Sequence, residues 1–309
     1  MSTARLILLN LTLLFFVSCA NTNTANTAST ESLTSCHEKR AAIDLGSGST
    51  KLVVGLVDRC KGFVEGILFE AQRAVALKDQ LQSSSDGKFS KEMIDKLSGI
   101  FEEFKYLAAN EGATEVKAVA TSAFRTAKNS KDAVEIIKQR SGISVTVISQ
   151  EQEALFAYSA ARSQTMTSGV KQTPPIAVWD IGGGSMQITK PIENGKTKVA
   201  LLKVASVTFK NRVLREFYPK NAKSPNPMKE ERALKSMDLA RVMAKERLGD
   251  FGNLRNYQVV GVGGVHYFSL GGQFKENQRV YDQSTLLAKL IERSKLSDKK
   301  IASKYATTD

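Results

Sequence analysis

The apolar positions of the chain fall into two successive series that share one order of elements. In each series, three β-prone runs precede alternating helical and strand-like segments, which predicts α/β domains with mixed sheets. The first series predicts strands 40–45, 50–58 and 63–77, helix 90–111, strand 116–120, helix 131–140 and strand 143–148. The second predicts strands 176–181, 185–192 and 198–207, helices 207–217 and 228–248, strand 257–262 and helix 284–294. We therefore expect two domains, 38–157 and 158–309, with a cleft between them.

A separate apolar segment, LILLNLTLLFFV at 6–17, follows Arg5 near the start of the chain. It is too short to cross a bilayer as a mature helix and is typical of an export signal. The run Phe16-Val17-Ser18-Cys19 resembles the bacterial lipobox, in which the cysteine is lipidated and becomes the mature N-terminus. We expect a lipoprotein signal peptide over 1–18 and lipidation at Cys19, with an ordinary secretory signal as the alternative.

Residues 19–37 are expected to form a disordered tether, because ANTNTANTASTESLTS at 20–35 has no apolar face. Export would place the protein in the cell envelope (the periplasm), and Ala20 favours the outer membrane by resemblance to enteric lipoproteins. An oxidising compartment permits a disulfide between Cys36 and Cys60. Both cysteines lie 12 residues from Gly48 in a predicted hairpin, so they can face each other across it. Two unrelated thiols are the alternative.

One motif occurs twice in the chain. Residues 42–50 read AIDLGSGST and residues 178–186 read VWDIGGGSM, which places Asp44 and Asp180 136 positions apart. This separation matches the length of a domain, so the chain has the pattern of a duplicated domain with one site built from both halves.

The residue types of the repeated motif suit a phosphate ligand. Each Asp ends a strand and can hold Mg²⁺ directly or through water, because Mg²⁺ prefers hard oxygen ligands. The glycines permit a tight turn and let backbone N–H groups approach an anion, and the serines add hydroxyl donors. The predicted phosphate-binding residues are Gly46, Ser47, Gly48, Ser49, Gly182, Gly183, Gly184 and Ser185. One such loop is a weak signal, but two matching loops favour a phosphate clamp.

The motifs together resemble the exopolyphosphatase and guanosine pentaphosphate phosphatase (Ppx/GppA) family of the actin-like ATPase superfamily. The resemblance covers about 40–295 and includes, besides the two loops, VATSAFRTAKN at 119–129 and VISQEQEALFAY at 147–158. It continues with ASVTF at 205–209 and GVGGV at 261–265. The family implies two RNase H-like (actin-like) domains that enclose an interdomain cleft.

The resemblance also implies roles for individual residues. Glu153 matches the general base for the attacking water, and Arg125 matches an arginine that faces the phosphate. Asp44 and Asp180 match carboxylates that serve the Mg²⁺ ion. Lys51, in the place of a basic residue or histidine, and Gly263 and Gly264, in the GVGGV turn, are expected to bind phosphate as well.

Several positions depart from the family pattern. Gln187 replaces a Glu, and an amide binds Mg²⁺ more weakly than a carboxylate does. The other departures are Gly48 for Asn, Gln150 for Gly, Ala205 for Gly and Val265 for Thr. Relatives also continue with a further strand–helix segment that is not recognisable after residue 294. The expected fold is therefore better supported by the sequence than the expected activity.

The charge of the chain favours an anionic partner. The 309 residues contain 44 Lys and Arg against 31 Asp and Glu, and residues 190–255 alone contain 16 against 7. We expect a Mg²⁺-dependent hydrolase that removes terminal phosphate from polyphosphate or acts on another phosphorylated anion. Guanosine pentaphosphate is a less suitable substrate for an exported protein.

Two other functions compete with hydrolysis. A catalytically weakened lipoprotein would bind polyphosphate or another phosphorylated ligand without turnover, and a kinase or chaperone of the same superfamily fits the motifs less well. Nucleic acid is not expected as a partner, because there is one Trp and no basic motif interleaved with aromatic residues. Membrane contact is expected only through the N-terminal lipid, and a homodimer is left open.

Overall fold

The protein folds into two α/β domains, each built on one mixed sheet. A computed structural model describes residues 6–7, 36–167, 173–271 and 280–304. The elements up to the domain junction are β1 (Leu6–Ile7), β2 (His37–Leu45), β3 (Ser49–Asp58), β4 (Phe63–Ala74), α1 (Leu77–Ser83), α2 (Lys91–Asn110), β5 (Glu115–Ala120), α3 (Ser122–Thr126), α4 (Ser130–Ser141), β6 (Val145–Val147) and α5 (Gln150–Thr167). Those after it are β7 (Ile176–Ile181), β8 (Met186–Pro191), β9 (Thr197–Leu202), α6 (Ser206–Phe217), α7 (Lys229–Leu248), β10 (Gln258–Val262), β11 (Val280–Tyr281), α8 (Gln283–Ser294) and α9 (Asp298–Lys304).

The two sheets repeat one topology. The first has the order β4-β3-β2-β5-β6, in which β2 pairs with β3 in antiparallel fashion and with β5 in parallel fashion. The second has the order β9-β8-β7-β10-β1-β11, in which β7 pairs with β8 and β10 in the same two ways. The duplication predicted from the repeated motif is therefore present in the strand order.

The position that β6 occupies in the first sheet is taken in the second sheet by β1. Leu6 and Ile7 pair in parallel with Val259 and Val260, and β11 continues the sheet beyond them. These two residues belong to the predicted signal peptide. Cys19 and the rest of the predicted signal and tether up to residue 35 lie outside the described residues. The first strand after them begins at His37, one residue before the predicted domain boundary.

The core of the first domain packs helix α2 against β2 and β3. On one face, β2 and β3 bury Ile43, Leu45 and Leu52, and α2 covers them with Phe101 and Phe104. Each of these side chains is 1 % exposed or less, so this apolar contact fixes the sheet that carries the first glycine loop. The opposite face of β2 carries Asp44 and is directed away from that core.

Two predicted strands end earlier in the structure than the apolar pattern indicates. The strand predicted over 63–77 ends at Ala74, and the strand predicted over 198–207 ends at Leu202. After the first, Val75 is buried and donates its backbone N–H to the Gly48 carbonyl at 2.9 Å. After the second, the Ser206 N–H binds the Gly182 carbonyl at 3.1 Å, and helix α6 begins there. In both cases the apolar residues support a glycine loop instead of extending the sheet.

Helix α5 crosses the predicted domain boundary at 157/158 as one continuous element. Its buried residues Tyr158 and Ala161 pack with Ile176, Val178 and Val260 of the second sheet. The helix also reaches the first domain, where the Val64 N–H donates to Ser163 Oγ at 3.3 Å. It therefore links the two domains along one side of the cleft. No helix among the described ranges is both long enough and apolar enough to cross a membrane.

Candidate active site

The two glycine loops have the same local structure. In the first, the Gly46 N–H binds the Ser49 carbonyl at 3.0 Å, and in the second the Gly182 N–H binds the Ser185 carbonyl at 3.0 Å. Each turn joins two antiparallel strands directly after the strand that carries the Asp. The sequence repeat is therefore a structural repeat, with Asp44 and Asp180 in equivalent positions.

The loops meet face to face across the cleft. A Cβ atom placed on Gly184 would lie 2.4 Å from Ser122 Oγ and 2.8 Å from Ser47 Oγ. Only glycine permits this approach, because any side chain there would overlap both hydroxyls. Ser47 is 5 % exposed, and its Oγ has no hydrogen-bond partner within the described ranges. A buried, unpaired hydroxyl between two glycine loops is a donor available to a bound anion.

Helix α3 presents Arg125 to the second loop. The short helix follows β5, and the Thr121 N–H anchors its start to the Leu45 carbonyl at 3.2 Å. Arg125 Nη1 donates to the Ile148 carbonyl at 3.0 Å, which directs the guanidinium across the cleft. Its Nη2 lies 2.8 Å from Glu153 Oε2 and 3.4 Å from Ser185 Oγ.

The position of Glu153 follows from the start of helix α5. Ser149 and Gln152 form a reciprocal cap: Ser149 Oγ accepts the Gln152 N–H at 3.0 Å, and Gln152 Oε1 accepts the Ser149 N–H at 2.9 Å. Glu153 then lies in the first helical turn and accepts the Ser185 hydroxyl at 3.3 Å. The two predicted catalytic residues and one predicted phosphate ligand therefore form a single contact group.

The surroundings of Asp44 and Asp180 disfavour the charged form of both carboxyl groups. Burial, followed by repulsion from Glu153 and Asp44, raises the pKa of Asp180 to about 7. Burial is also the main cause that raises the pKa of Asp44, with Glu153 adding to the shift and Lys51 opposing it. Asp44, Lys51, Glu153 and Asp180 therefore act on one another electrostatically in the cleft.

The chemistry of this carboxylate group fits a Mg²⁺ ion. A divalent cation would offset the repulsion between these carboxylates, and Asp44 and Asp180 would hold it. Their oxygens and those of Glu153 do not all lie within 4.8 Å of one another, so water molecules would complete the contacts. Gln187 pairs with Asp180 across the β7–β8 hairpin, as Lys51 pairs with Asp44 across the β2–β3 hairpin. The amide of Gln187 is buried and has no hydrogen-bond partner among the described residues.

A basic pocket opens beside Arg125 and Ser185. Its volume is about 360 Å³, and no carboxylate of the described residues lines it. The lining combines both domains and contains five cationic side chains, namely Lys78, Arg125, Lys203, Arg212 and Arg215. Burial, followed by repulsion from Arg125 and Lys203, lowers the pKa of Lys78, as expected where positive charges crowd together. Arg125 pairs with Glu153 and Arg212 with Glu216, at 2.8 and 2.9 Å. The pocket has the electrostatics of an anion site.

Sequence reasoning had singled out only Arg125 among these five cations. Lys203, Arg212 and Arg215 belong to the basic segment 190–255, and Lys78 lies outside it. Arg212 and Arg215 lie three residues apart in helix α6, a spacing that places both on one helix face and could have indicated a common role. Lys78 lies in the first domain and Arg212 and Arg215 lie in the second, so the three side chains meet only where the two domains face each other.

Three predicted residues contact a different cavity. Lys51, Gly263 and Gly264 line a space of about 580 Å³ between β3, β4, α5 and β10. Gly263 has a φ of +92°, and a Cβ there would lie 2.7 Å from the Ile181 carbonyl and 3.1 Å from Asp180 Oδ1. This turn therefore packs directly against Asp180, and its glycines do not line the basic pocket.

The predicted cysteine pair is also placed by the structure. Cys36 and Cys60 form a disulfide at the end of the β2–β3 hairpin, with their Cα atoms 5.4 Å apart. The backbone agrees with the pairing, because the Arg59 N–H donates to the Cys36 carbonyl at 2.7 Å. The hairpin register pairs His37 with Asp58, directly inside the disulfide.

Comparison with known proteins agrees with this arrangement. The model of the Ppx/GppA phosphatase family matches residues 56–247, which is more than half of the chain. The chain belongs to the Ppx/GppA phosphatase family. A curated relative, Exopolyphosphatase 1 of Mycobacterium tuberculosis, is 30% identical over 151 residues, covering 49% of this chain and 42% of the relative.

Other relatives of this Ppx/GppA chain extend the comparison. The bifunctional 3-dehydroquinate synthase/phosphatase of Fusobacterium nucleatum is 27% identical over 252 residues, covering 80% of this chain and 36% of that protein. The chain thus spans less than half the length of these curated relatives. The Ppx/GppA enzyme structure from Aquifex aeolicus superposes with a TM-score of 0.63 at 22% identity, covering 88% of this chain and 86% of that one. This likeness confirms the predicted fold of two actin-like domains.

Proposed function

We propose that the protein is an exopolyphosphatase, which hydrolyses the terminal phosphoanhydride bond of polyphosphate in a Mg²⁺-dependent reaction. The observation that carries the proposal is the contact group of Arg125, Glu153 and Ser185 between two glycine loops, with a basic pocket beside it. Family membership supports a phosphatase. The basic pocket supports an extended phosphate chain, because its cations exceed the charge of one phosphate group.

Substrate binding would change the partners of Arg125. Its Nη2 now contacts both Glu153 and Ser185, which are a carboxylate and a hydroxyl of the same small site. A terminal phosphate that accepts hydrogen bonds from Arg125, Ser185 and the loop N–H groups would compete with Glu153 for the guanidinium. Glu153 would then be free to hold a water molecule in line with the bond to be broken.

The chemical step needs one proton transfer. The water oxygen bonds to the terminal phosphorus, the bond from that phosphorus to the bridging oxygen breaks, and Glu153 accepts a proton from the water. The products are orthophosphate and a chain shorter by one unit. A Mg²⁺ ion held by Asp44 and Asp180 would supply charge neutralisation at the phosphate oxygens.

Orthophosphate release from long-chain polyphosphate by the purified full chain tests the proposal. We expect release that stops on addition of EDTA, and a loss of about 10²-fold or more in kcat for Glu153→Gln. Glu151→Gln is the matched control, because Glu151 lies in the same helical turn but is exposed. Polyphosphate binding without release by the wild type would refute hydrolysis and leave a non-catalytic binding protein.

Export and lipidation at Cys19 form a second, independent part of the proposal. They are supported by the apolar segment 6–17 and by the lipobox-like residues before Cys19. Cleavage before Cys19 would remove β1 from the second sheet, so the processed protein would have β10 and β11 without the strand between them. Metabolic labelling with palmitate, lost in Cys19→Ala, tests this part without reference to activity.

A further inference from the structure

A second group of ligating side chains lies at the far end of the β2–β3 hairpin from the glycine loop. His37 begins β2, Asp58 ends β3 and Glu65 lies in β4. One imidazole nitrogen and one oxygen from each carboxylate lie within 4.8 Å of one another. His37 Nε2 is 3.0 Å from Glu65 Oε2 and 4.0 Å from Asp58 Oδ2.

Asp58 is the fixed member of this group. Its side chain is 2% exposed, and its Oδ1 accepts the backbone N–H groups of Cys60 and Lys61, both at 2.9 Å. The bond from the Lys61 N–H is the main cause that lowers the pKa of Asp58, so the group is a carboxylate at neutral pH. With Oδ1 occupied in this way, Oδ2 is directed toward His37.

The disulfide holds the backbone on both sides of this group. Cys36 precedes His37 directly, and Cys60 follows Asp58 by two residues. The cross-link therefore limits the relative movement of two of the three side chains in the group. Because its sulfur atoms are bonded to each other, they are not available as metal ligands.

We propose that His37, Asp58 and Glu65 bind a zinc ion that ties the start of β2 to β3 and β4. One imidazole nitrogen and two carboxylate oxygens are ligands that Zn²⁺ accepts, at bond lengths of about 2.0–2.2 Å. Ligand atoms around a tetrahedral ion of that size lie roughly 3.4 Å apart, and the observed separations of 3.0 and 4.0 Å lie on either side of that distance. His37 and Glu65 are 46% and 30% exposed, so water can reach the remaining position.

Lys61 competes with the metal in this arrangement. Its Nζ lies 3.1 Å from Asp58 Oδ2, but its side chain is 67% exposed and can turn into solvent. Removing this ammonium should therefore strengthen metal binding. If these side chains form only ion pairs and no metal site, removing the Lys61 ammonium should not increase metal affinity. A Lys61 variant therefore distinguishes a metal site from an ion-pair network.

Zinc titration of the full chain against a chromophoric chelator tests the site. The protein is stripped with EDTA, its free thiols are alkylated without reductant so that the disulfide stays intact, and millimolar Mg²⁺ occupies the cleft. We expect one zinc equivalent in the wild type and an affinity at least about tenfold lower in His37→Ala and in Glu65→Gln. Lys61→Ala is expected to bind several-fold more tightly.

Glu70→Gln is the matched control, because Glu70 is an exposed glutamate of the same strand as Glu65 and should retain wild-type affinity. Circular dichroism checks that the variants at exposed His37 and Glu65 remain folded. Equal zinc affinity in the wild type and in His37→Ala would overturn the site. The readout is independent of phosphate release, so the failure of one proposal leaves the other intact.

Discussion

Replacing Asp180 by Asn should make the folded protein more stable above neutral pH and leave its stability in acid unchanged. The cause is the raised pKa of this half-buried carboxyl, about 7 in the folded protein against an ordinary value of 3.8. At pH values between about 4 and 7, Asp180 is protonated in the folded state but has already lost its proton in the unfolded state. Stability therefore falls as the pH rises from about 4 to 7 and levels off above that range.

The magnitude follows from the size of the shift. About three pKa units at 1.36 kcal/mol each give a loss of at most about 4 kcal/mol from this one group. The Asn side chain has the same shape and no charge, so the variant lacks this loss. A Mg²⁺ ion that neutralises the site should reduce the difference, because a ligand at one hundred times its Kd stabilises the folded state by about 2.7 kcal/mol.

Urea denaturation of the wild type and Asp180→Asn at pH 4.5 and pH 8, with and without Mg²⁺, measures the effect. We expect similar free energies of unfolding at pH 4.5 and a more stable variant at pH 8, with the gap narrowed by Mg²⁺. Asp250→Asn is the control, because Asp250 is 98% exposed and its replacement should change little. A variant less stable than the wild type at pH 8 without Mg²⁺ would refute the electrostatic account of the cleft.

Three further perturbations test other parts of the structure. Gly184→Ala places a Cβ 2.4 Å from Ser122 Oγ and should separate the loops, lowering activity at least tenfold and the free energy of unfolding by about 1–3 kcal/mol. Gly48→Ala is the control for crowding, because a Cβ there meets no atom of the described residues within 4 Å. Arg215→Ala removes one cation from the basic pocket and should raise KM for long-chain polyphosphate about tenfold, and KM for tripolyphosphate by less. Arg247→Ala, at the exposed end of α7, is the control and should leave both KM values unchanged. Cys36→Ser removes a cross-link between residues 24 positions apart and should lower the free energy of unfolding by about 3 kcal/mol. Urea denaturation without reductant measures this change, and an unchanged value would show that the disulfide does not form.

The strands and loops that carry the cleft were predictable because their pattern is local. Asp44 and Asp180 end apolar runs, and the glycines that follow permit a tight turn. Where the pattern was wrong, at 75–77 and 203–207, apolar residues were assigned to a sheet but in fact support the loops. Val75 and Leu77 are buried under the first loop, and nothing in their own residue types distinguishes that burial from strand burial.

Helix α5 was not predicted as an element, although Glu153 was. Its buried positions, Ala154, Tyr158, Ala161 and Thr165, have helical spacing but are mostly small or polar, so they give a weak apolar pattern. The family resemblance identified Glu153 without the helix. The basic pocket could not be predicted, because its side chains come from elements of both domains. Gln150, a departure from the family pattern, donates to the Met186 and Leu202 carbonyls at 3.3 and 3.2 Å and thereby joins α5 to the second sheet.

The disulfide at the end of the first hairpin has a mechanical consequence. Cys36 and His37 lie at one end of β2 and the glycine loop at the other, about 25 Å away along the strand. After a cleavage before Cys19, which would remove β1, a pulling force on the chain ahead of Cys36 would enter the fold at the disulfide and pass to two strands at once. Separating those strands would require many backbone hydrogen bonds to shear together. In such a processed chain, the force would reach the glycine loop only through the paired length of β2 and β3.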